Sequence, residues 1–204
     1  MTRAALAEQR TLRRAQAHAA TRGAILEAAR RVAARDGARD LSLRGVAAEA
    51  GFAPAALYGY FTGKDDLLLA LAAEDLSALA RAMREASVRA DGGGRLASAA
   101  AAGLSVLRET ETLAAALGAM PAQAGPGEAE RLFNGRMIAV LKVLSEASGN
   151  RAATREGQCD VLLLAAAIAG LAVFARSGRL GALGFDPSEL AARLEAHFAT
   201  PPPG

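Results

Sequence analysis

Tryptophan is absent from these 204 residues, tyrosine occurs twice, and aromatic residues together make up 4% of the chain. With β-branched residues also scarce, the side chains that favour strands are in short supply, which argues against a sheet-built core. Cysteine occurs once, at Cys159, so no intramolecular disulfide framework can form and a reducing compartment is the simpler setting. A lone Cys at the start of an apolar helix reads as a packing residue rather than a redox switch. The two histidines, His18 and His197, are isolated, read as solvent-exposed and give no metal-ligand spacing. There is no Walker loop, no GxSxG elbow and no paired His-Glu-His spacing, so neither catalysis, a metal nor a cofactor is expected. The first twenty residues are charged and lack an apolar segment, which reads against an export signal or membrane anchor. The most apolar run, Val161 to Ala175, spans about 15 residues, short of the roughly 20 that cross a bilayer, and reads as a buried helix. The expected location is cytoplasmic, without membrane association.

What the chain does have is alanine, with 52% hydrophobic and 22% charged residues, the balance of a globular protein. No proline falls between Pro54 and Pro121, so helix propensity stays high over most of the length and the fold class is all-α. The net charge of +3 is unevenly placed: eleven basic against five acidic residues through Lys64 give that third +6 and leave −3 for the remainder. Such a basic N-terminal third suggests a polyanion partner for that third only, a solvated charged face being the other reading.

Residues 1–20 are polar, Arg-rich and without a sustained apolar stripe, and read as a basic flexible arm. From Thr21, which can cap a helix, Ile25, Leu26, Ala29, Val32 and Ala33 recur at helical spacing, and Asp36-Gly37 ends the pattern, giving a first helix over Arg22 to Arg35. Ser42 stands at the N-cap of a short helix, Leu43 to Ala50; Gly51 allows a positive φ for the turn, and Pro54 opens a third helix ending near Tyr60. Thr62 with Asp65 three positions on reads as a capping box for a longer fourth helix. Beyond Gly94, helices are expected over Arg95 to Arg108, Thr110 to Ala119, Glu128 to Ser148, Thr154 to Ser177 and Pro187 to Ala199. The tail 201–204 reads as disordered.

Leu43 to Ala50 and Pro54 to Tyr60 about Gly51 form a helix-turn-helix. The small Ala47 lets the helices cross closely, while Val46, Phe52 and Leu57 can make the core beneath. The segments TRGAILEAARRVAARDG and LSLRGVAAEAGFAPAALYGYFTGKDDLL, with Leu57-Tyr58, Tyr60-Phe61 and Lys64-Asp65-Asp66-Leu67 in order, resemble the TetR family of transcriptional regulators over roughly residues 21 to 70. The resemblance implies a three-helix helix-turn-helix DNA-binding domain at 21–66, followed at 67–204 by a helical effector-binding and dimerisation domain. It further implies a ligand-responsive repressor acting as a homodimer on a quasi-palindromic double-stranded operator.

The resemblance also assigns roles. Ser42 and Arg44 would hold phosphates; Ala53, Pro54, Ala55 and Ala56 would bring the third helix to the groove; Tyr58 and Tyr60 would contact backbone or bases; Lys64 would pair with a phosphate. Tyr58 and Tyr60 are two positions apart and cannot share a helix face, so at least one should be exposed. The family commonly carries hydroxyl residues near positions 53 and 56, and here both are alanine. Direct base readout is therefore thin, leaving phosphate and thymine-methyl contacts, supplemented by Arg10, Arg13 and Arg14 of the arm reaching a minor groove. The alanines also keep open a different protein class, a small-molecule-binding or interaction protein whose helix-turn-helix does not read DNA.

For the C-terminal part, Val161 to Ala175 is apolar around its circumference, and Ala166 with Gly170 one turn later would allow close helix approach. A second apolar helix over Glu189 to Phe198 could complete a four-helix interface between two copies. Candidate cavity residues are Leu104, Leu107, Met120, Phe133, Met137, Leu141, Ile168 and Phe174. With few polar residues nearby (Arg108, Asn134, Arg136, Gln158 and Arg176), the favoured effector is apolar or amphipathic, a bound anion near Arg136 being a lesser possibility.

Overall fold

The computed structural model describes residues 3–90, 94–110, 112–119 and 127–198. Among these the chain is helical throughout: α1 (Arg3–Asp36), α2 (Leu43–Ala50), α3 (Pro54–Leu57), α4 (Lys64–Arg89), α5 (Arg95–Glu109), α6 (Thr112–Ala119), α7 (Glu128–Ala147), α8 (Arg155–Arg176), α9 (Arg179–Ala182) and α10 (Pro187–Phe198), with a 3-10 turn at Arg151–Ala153. The all-α expectation holds. Met120, the break at Pro121 and the tail 201–204 lie outside the described residues.

The expected arm is instead a continuation of α1, which begins at Arg3 rather than Arg22. Residues 7–20 are exposed on every side, so packing does not hold this stretch helical. Its Ala, Leu, Gln, Arg and Glu content does, since these are the strongest helix formers and no Gly or Pro interrupts them. A search for an apolar stripe passes over such a helix. The third helix is shorter than expected: α3 closes at Leu57 and residues 58–60 form turns. The fourth is capped one residue later than expected. Gly63 occupies the N-cap, and Asp66 rather than Asp65 reaches back, accepting from the Thr62 backbone N–H at 2.8 Å and its hydroxyl at 3.2 Å.

Two apolar cores meet on α4. The first gathers Ile25, Leu26, Ala29 and Val32 of α1, Val46 and Ala47 of α2, Leu57, Phe61, and Leu67, Leu68 and Leu71 of α4. The second gathers Leu76, Leu79 and Met83 of α4, Leu96 and Leu104 of α5, Phe133, Val140 and Leu144 of α7, and Val161, Leu164 and Ile168 of α8. Helix α4 is thus the axle of the molecule, packing most extensively on α7 and α5. Its first two turns belong to the head and the rest to the body. Ala115 of α6 also packs against the head core, so a body helix reaches across the seam. At Gly103 of α5 the fit is close: an added Cβ would lie 3.3 Å from the Met83 sulfur and 3.5 Å from Ile168.

Candidate nucleic-acid interface and ligand cavity

The head is organised around the turn at Gly51, whose φ of 74° is left-handed and suits glycine. Through that turn the Phe52 N–H reaches the Ala47 carbonyl at 2.9 Å, closing α2 and setting α3 across it. Ala47 is fully buried at the crossing, with Val46 and Leu57 beside it and Phe52 half-buried at the margin. The apolar anchors of this small unit all point inward, so the polar and small residues between them must face out.

They do. Ser42 caps α2, its hydroxyl accepting from the Gly45 N–H at 3.1 Å, and is exposed together with Arg44. Ala53, Pro54, Ala55 and Ala56 form an exposed run at the start of α3, and Tyr58 just beyond is 63% exposed. Lys64 is exposed, and its ammonium donates to the Arg39 backbone carbonyl, which fixes it beside the loop between α1 and α2. Tyr60 differs. It is half-buried and its ring stacks on His18, with centroids 4.6 Å apart, which ties the unexpected part of α1 to the end of the α3 segment. One turn further along α1, the Arg22 guanidinium lies 5.0 Å over the Phe61 ring. His18 was legible in the sequence only as an isolated histidine; nothing local marks an aromatic partner 42 residues away.

Two arginines of the N-terminal third are engaged by acids already counted in its net charge, which leaves the excess on the others. Arg31 and Arg35 both reach Glu49, at 2.8 and 3.1 Å, and Arg35 also donates to both oxygens of Asp36. Hydrogen bonds from Arg31 and then Arg35 hold the Glu49 carboxyl below its usual range, and those from Arg35 do the same for Asp36. The remaining cations near the α3 face are Arg39, Arg44 and Lys64, with Arg10, Arg13 and Arg14 exposed on the first turns of α1.

At the seam between head and body, Asp75 of α4 is 6% exposed and bridges two other helices. It accepts from the Arg30 guanidinium of α1 and from the Thr112 hydroxyl of α6, while Glu74 accepts from Arg30 at 3.2 Å. Burial pulls the Arg30 guanidinium down, but its hydrogen bond and attraction to Asp75 outweigh this and leave it raised. Glu74 is raised as well, burial exceeding the help it gets from Arg30.

In the body, a cavity of 260 Å³ opens between α4, α7 and α8, with only apolar side chains in its wall. Of the residues expected to line it, Leu107, Met137 and Ile168 do. Leu104 and Phe133 are packed solid in the core instead, and Leu141 packs on the core's edge. Phe174 is 46% exposed and turned to solvent, because it falls on the outward face of α8. The wall that sequence reasoning missed comes from α4, through Leu76, Leu79 and Met83, and from Leu113, Val140, Leu144 and the alanines of α8. Their only sequence signal was helical periodicity, which marks core without distinguishing a lined void.

Helix α8 was expected to be buried on several sides. In the single chain only the face of Val161, Leu164, Ile168 and Ala172 is buried; Leu162, Leu163, Val173 and Phe174 stand exposed. The helix is long and apolar enough to cross a membrane by length and composition, though one face packs in the protein core. Cys159 is exposed in its second turn, so it is not the packing residue expected.

Known proteins share parts of this arrangement. The profile of bacterial regulatory proteins of the tetR family matches residues 25–71, the segment that builds the head core. An HTH-type transcriptional regulator of Haemophilus influenzae is 40% identical over 79 residues, a match spanning 38% of this chain and 38% of that protein. A protein of unknown function from Rhodococcus sp. RHA1 superposes with a TM-score of 0.67 at 27% identity, over 88% of this chain and 93% of that one. The transcriptional regulator FadR from Bacillus subtilis, solved in complex with stearoyl-CoA, superposes with a TM-score of 0.60 at 20% identity, over 87% and 97%. Over residues 25–71 the chain is similar to the bacterial regulatory proteins of the tetR family, and over most of its length it shares the fold of the two solved structures.

Proposed function

We propose that this chain is a DNA-binding transcriptional regulator, a repressor that releases its operator when a small molecule occupies the body. The observation that carries the reading is the exposed run from Ser42 to Lys64. A capped α2, a left-handed glycine turn and a four-residue α3 present small side chains outward, with Arg44 and Lys64 exposed at either end. Small residues at the start of α3 let the backbone approach base edges and thymine methyls closely, while Ser42, Arg44, Tyr58, Tyr60 and Lys64 supply phosphate and sugar contacts. Lys64 exchanges its Arg39 carbonyl for a phosphate oxygen on binding. The domain division follows the two cores, head through Leu71 and body beyond, with the first part of α1 as an exposed helical extension.

The effector reading rests on the apolar cavity and its position. Leu76 in its wall is one residue from Asp75, which holds Arg30 of α1, and Leu113 is one residue from Thr112, which donates to Asp75. A ligand that displaces α6 or α4 therefore acts directly on the head. The Bacillus subtilis neighbour holds stearoyl-CoA, and an apolar or amphipathic effector suits this cavity too.

The protein acts as a homodimer through α8 and α10. Gly170 sits in mid-helix, where glycine costs about 1 kcal/mol relative to alanine, yet an added Cβ there meets nothing within 4 Å in the single chain. A second copy seated on Leu163 and Phe174, with Ala166 and Gly170 at the margin between that face and the cavities they also line, accounts for the exposed apolar residues. Two heads then read half-sites about one helical turn apart. The setting is cytoplasmic.

Footprinting on DNA upstream of the gene tests this. A protected quasi-palindrome is expected. Ala53 and Ala56 offer no hydrogen bond, and an absence of any protected sequence would favour the other reading, a ligand-binding protein whose helix-turn-helix no longer reads DNA.

A further inference from the structure

The apolar cavity adjoins two others. It shares Leu107, Leu113 and Ala169 with a second cavity of 250 Å³, which in turn shares Thr110 and Arg176 with a third of 500 Å³ at the seam below α1. Along this path the wall changes character. The first cavity is lined by hydrocarbon and thioether alone, and the third by Arg30, Arg35, Arg108 and Arg176 with Asp36, Asp75 and Glu109.

Pairing decides which of these charges are available. Arg30 is taken by Asp75 and Glu74, and Arg35 by Asp36 and Glu49. Among the described residues neither Arg108 nor Arg176 forms an ion pair, and Arg176 is oriented by donating to the Thr110 carbonyl at 2.8 Å, at the junction of the second and third cavities. Glu109 stands in the same wall without an ion pair among the described residues, so the site favours one negative charge over two.

We infer that the three cavities form one site for an amphipathic monoanion, its apolar chain between α4, α7 and α8 and its carboxylate or similar head group held by Arg176 and Arg108. This rests on the reading of the apolar cavity as the effector site and names the ligand class it takes. The head group arrives beside Thr110, two residues from the Thr112 that binds Asp75, so the charged end of the ligand lies nearest the contact between body and head.

The test is calorimetric titration of the full chain with three ten-carbon probes below their micellar concentrations: decanoate, 1-decanol and decyltrimethylammonium. Decanoate should bind about tenfold more tightly than decanol, the margin of a charge-assisted hydrogen bond at a partly exposed site, and the cation most weakly. In the Arg108→Ala/Arg176→Ala variant that preference should vanish with decanol binding unchanged, and in the Arg108→Lys/Arg176→Lys variant it should largely persist. Ala169→Phe, which fills the passage, should weaken decanoate and decanol alike. Circular dichroism confirms folding of each variant. Equal binding of decanoate and decanol, or an anion preference that survives the alanine pair, overturns the head-group assignment while leaving the apolar cavity standing. Failure of both probes to bind overturns the cavity reading as well.

Discussion

Substitution of Asp75 by alanine removes the carboxylate that joins α1, α4 and α6. Two costs follow, and both can be bounded. Thr112 is 5% exposed and its hydroxyl loses its acceptor, which leaves a buried donor at a cost of about 1–2 kcal/mol. The Arg30 guanidinium loses its best partner. Breaking a fully buried pair costs about 3–5 kcal/mol, but the Arg30 side chain is 37% exposed and keeps Glu74, so about 1–2 kcal/mol is appropriate. The sum, about 3 kcal/mol, should appear in urea unfolding at fixed protein concentration, with Asp75→Asn, which keeps the shape and an acceptor, losing about 1 kcal/mol. A double-mutant cycle with Arg30→Gln should give a coupling of about 1 kcal/mol or more. If Asp75→Ala lies within about 0.5 kcal/mol of the parent chain, the residue does not join the helices energetically and the route from cavity to head is wrong.

Three further outcomes follow. Arg44→Ala and Lys64→Ala should each weaken operator binding without changing the preferred sequence, and each should reduce the slope of log affinity against log salt by about 0.9; unchanged slopes would remove these residues from the phosphate contacts. Leu163→Glu should shift the chain from dimer to monomer in analytical ultracentrifugation while leaving its helical content intact, whereas a dimer that persists would place the interface elsewhere than α8. Stability should fall on acidification: Glu49 and Asp36 are depressed by their arginine partners, so below the ordinary glutamate value of 4.5 the unfolded chain takes up protons before the native one does. Glu49→Gln should flatten that acid limb. Glu74, being raised, acts in the opposite sense, and its contribution is lost as pH rises through its native value.

The sequence was most legible where local chemistry decides structure. Ser42, Gly51 and Pro54 each satisfy a backbone requirement, and α2 falls on Leu43–Ala50 as expected. Helix α8 was legible for the same reason, with Thr154 capping through the Gly157 N–H. The start of α1 was not, because a helix exposed on all sides has propensity but no stripe. The Arg30–Asp75–Thr112 contact joins residues 45 and 37 positions apart and leaves no local mark. The cavity was half legible. Leu107, Met137 and Ile168 lie on helices expected to surround it, but the α4 wall depends on how α4 crosses α7, a quantity set by packing that periodicity does not encode. The net charge of the basic third was legible, but not which arginines remain free, since charge counting does not see that Arg31 and Arg35 are the ones engaged by Glu49 and Asp36.

The central claim is that the face from Ser42 to Lys64 reads DNA sequence. Fluorescence anisotropy with a duplex from the upstream region, set against a shuffled duplex of equal composition at about 0.15 M salt, measures this most directly. The account predicts a preference of at least about 10³-fold for the upstream duplex, lost when either half-site is scrambled. Equal affinity for the two duplexes at that salt would contradict it.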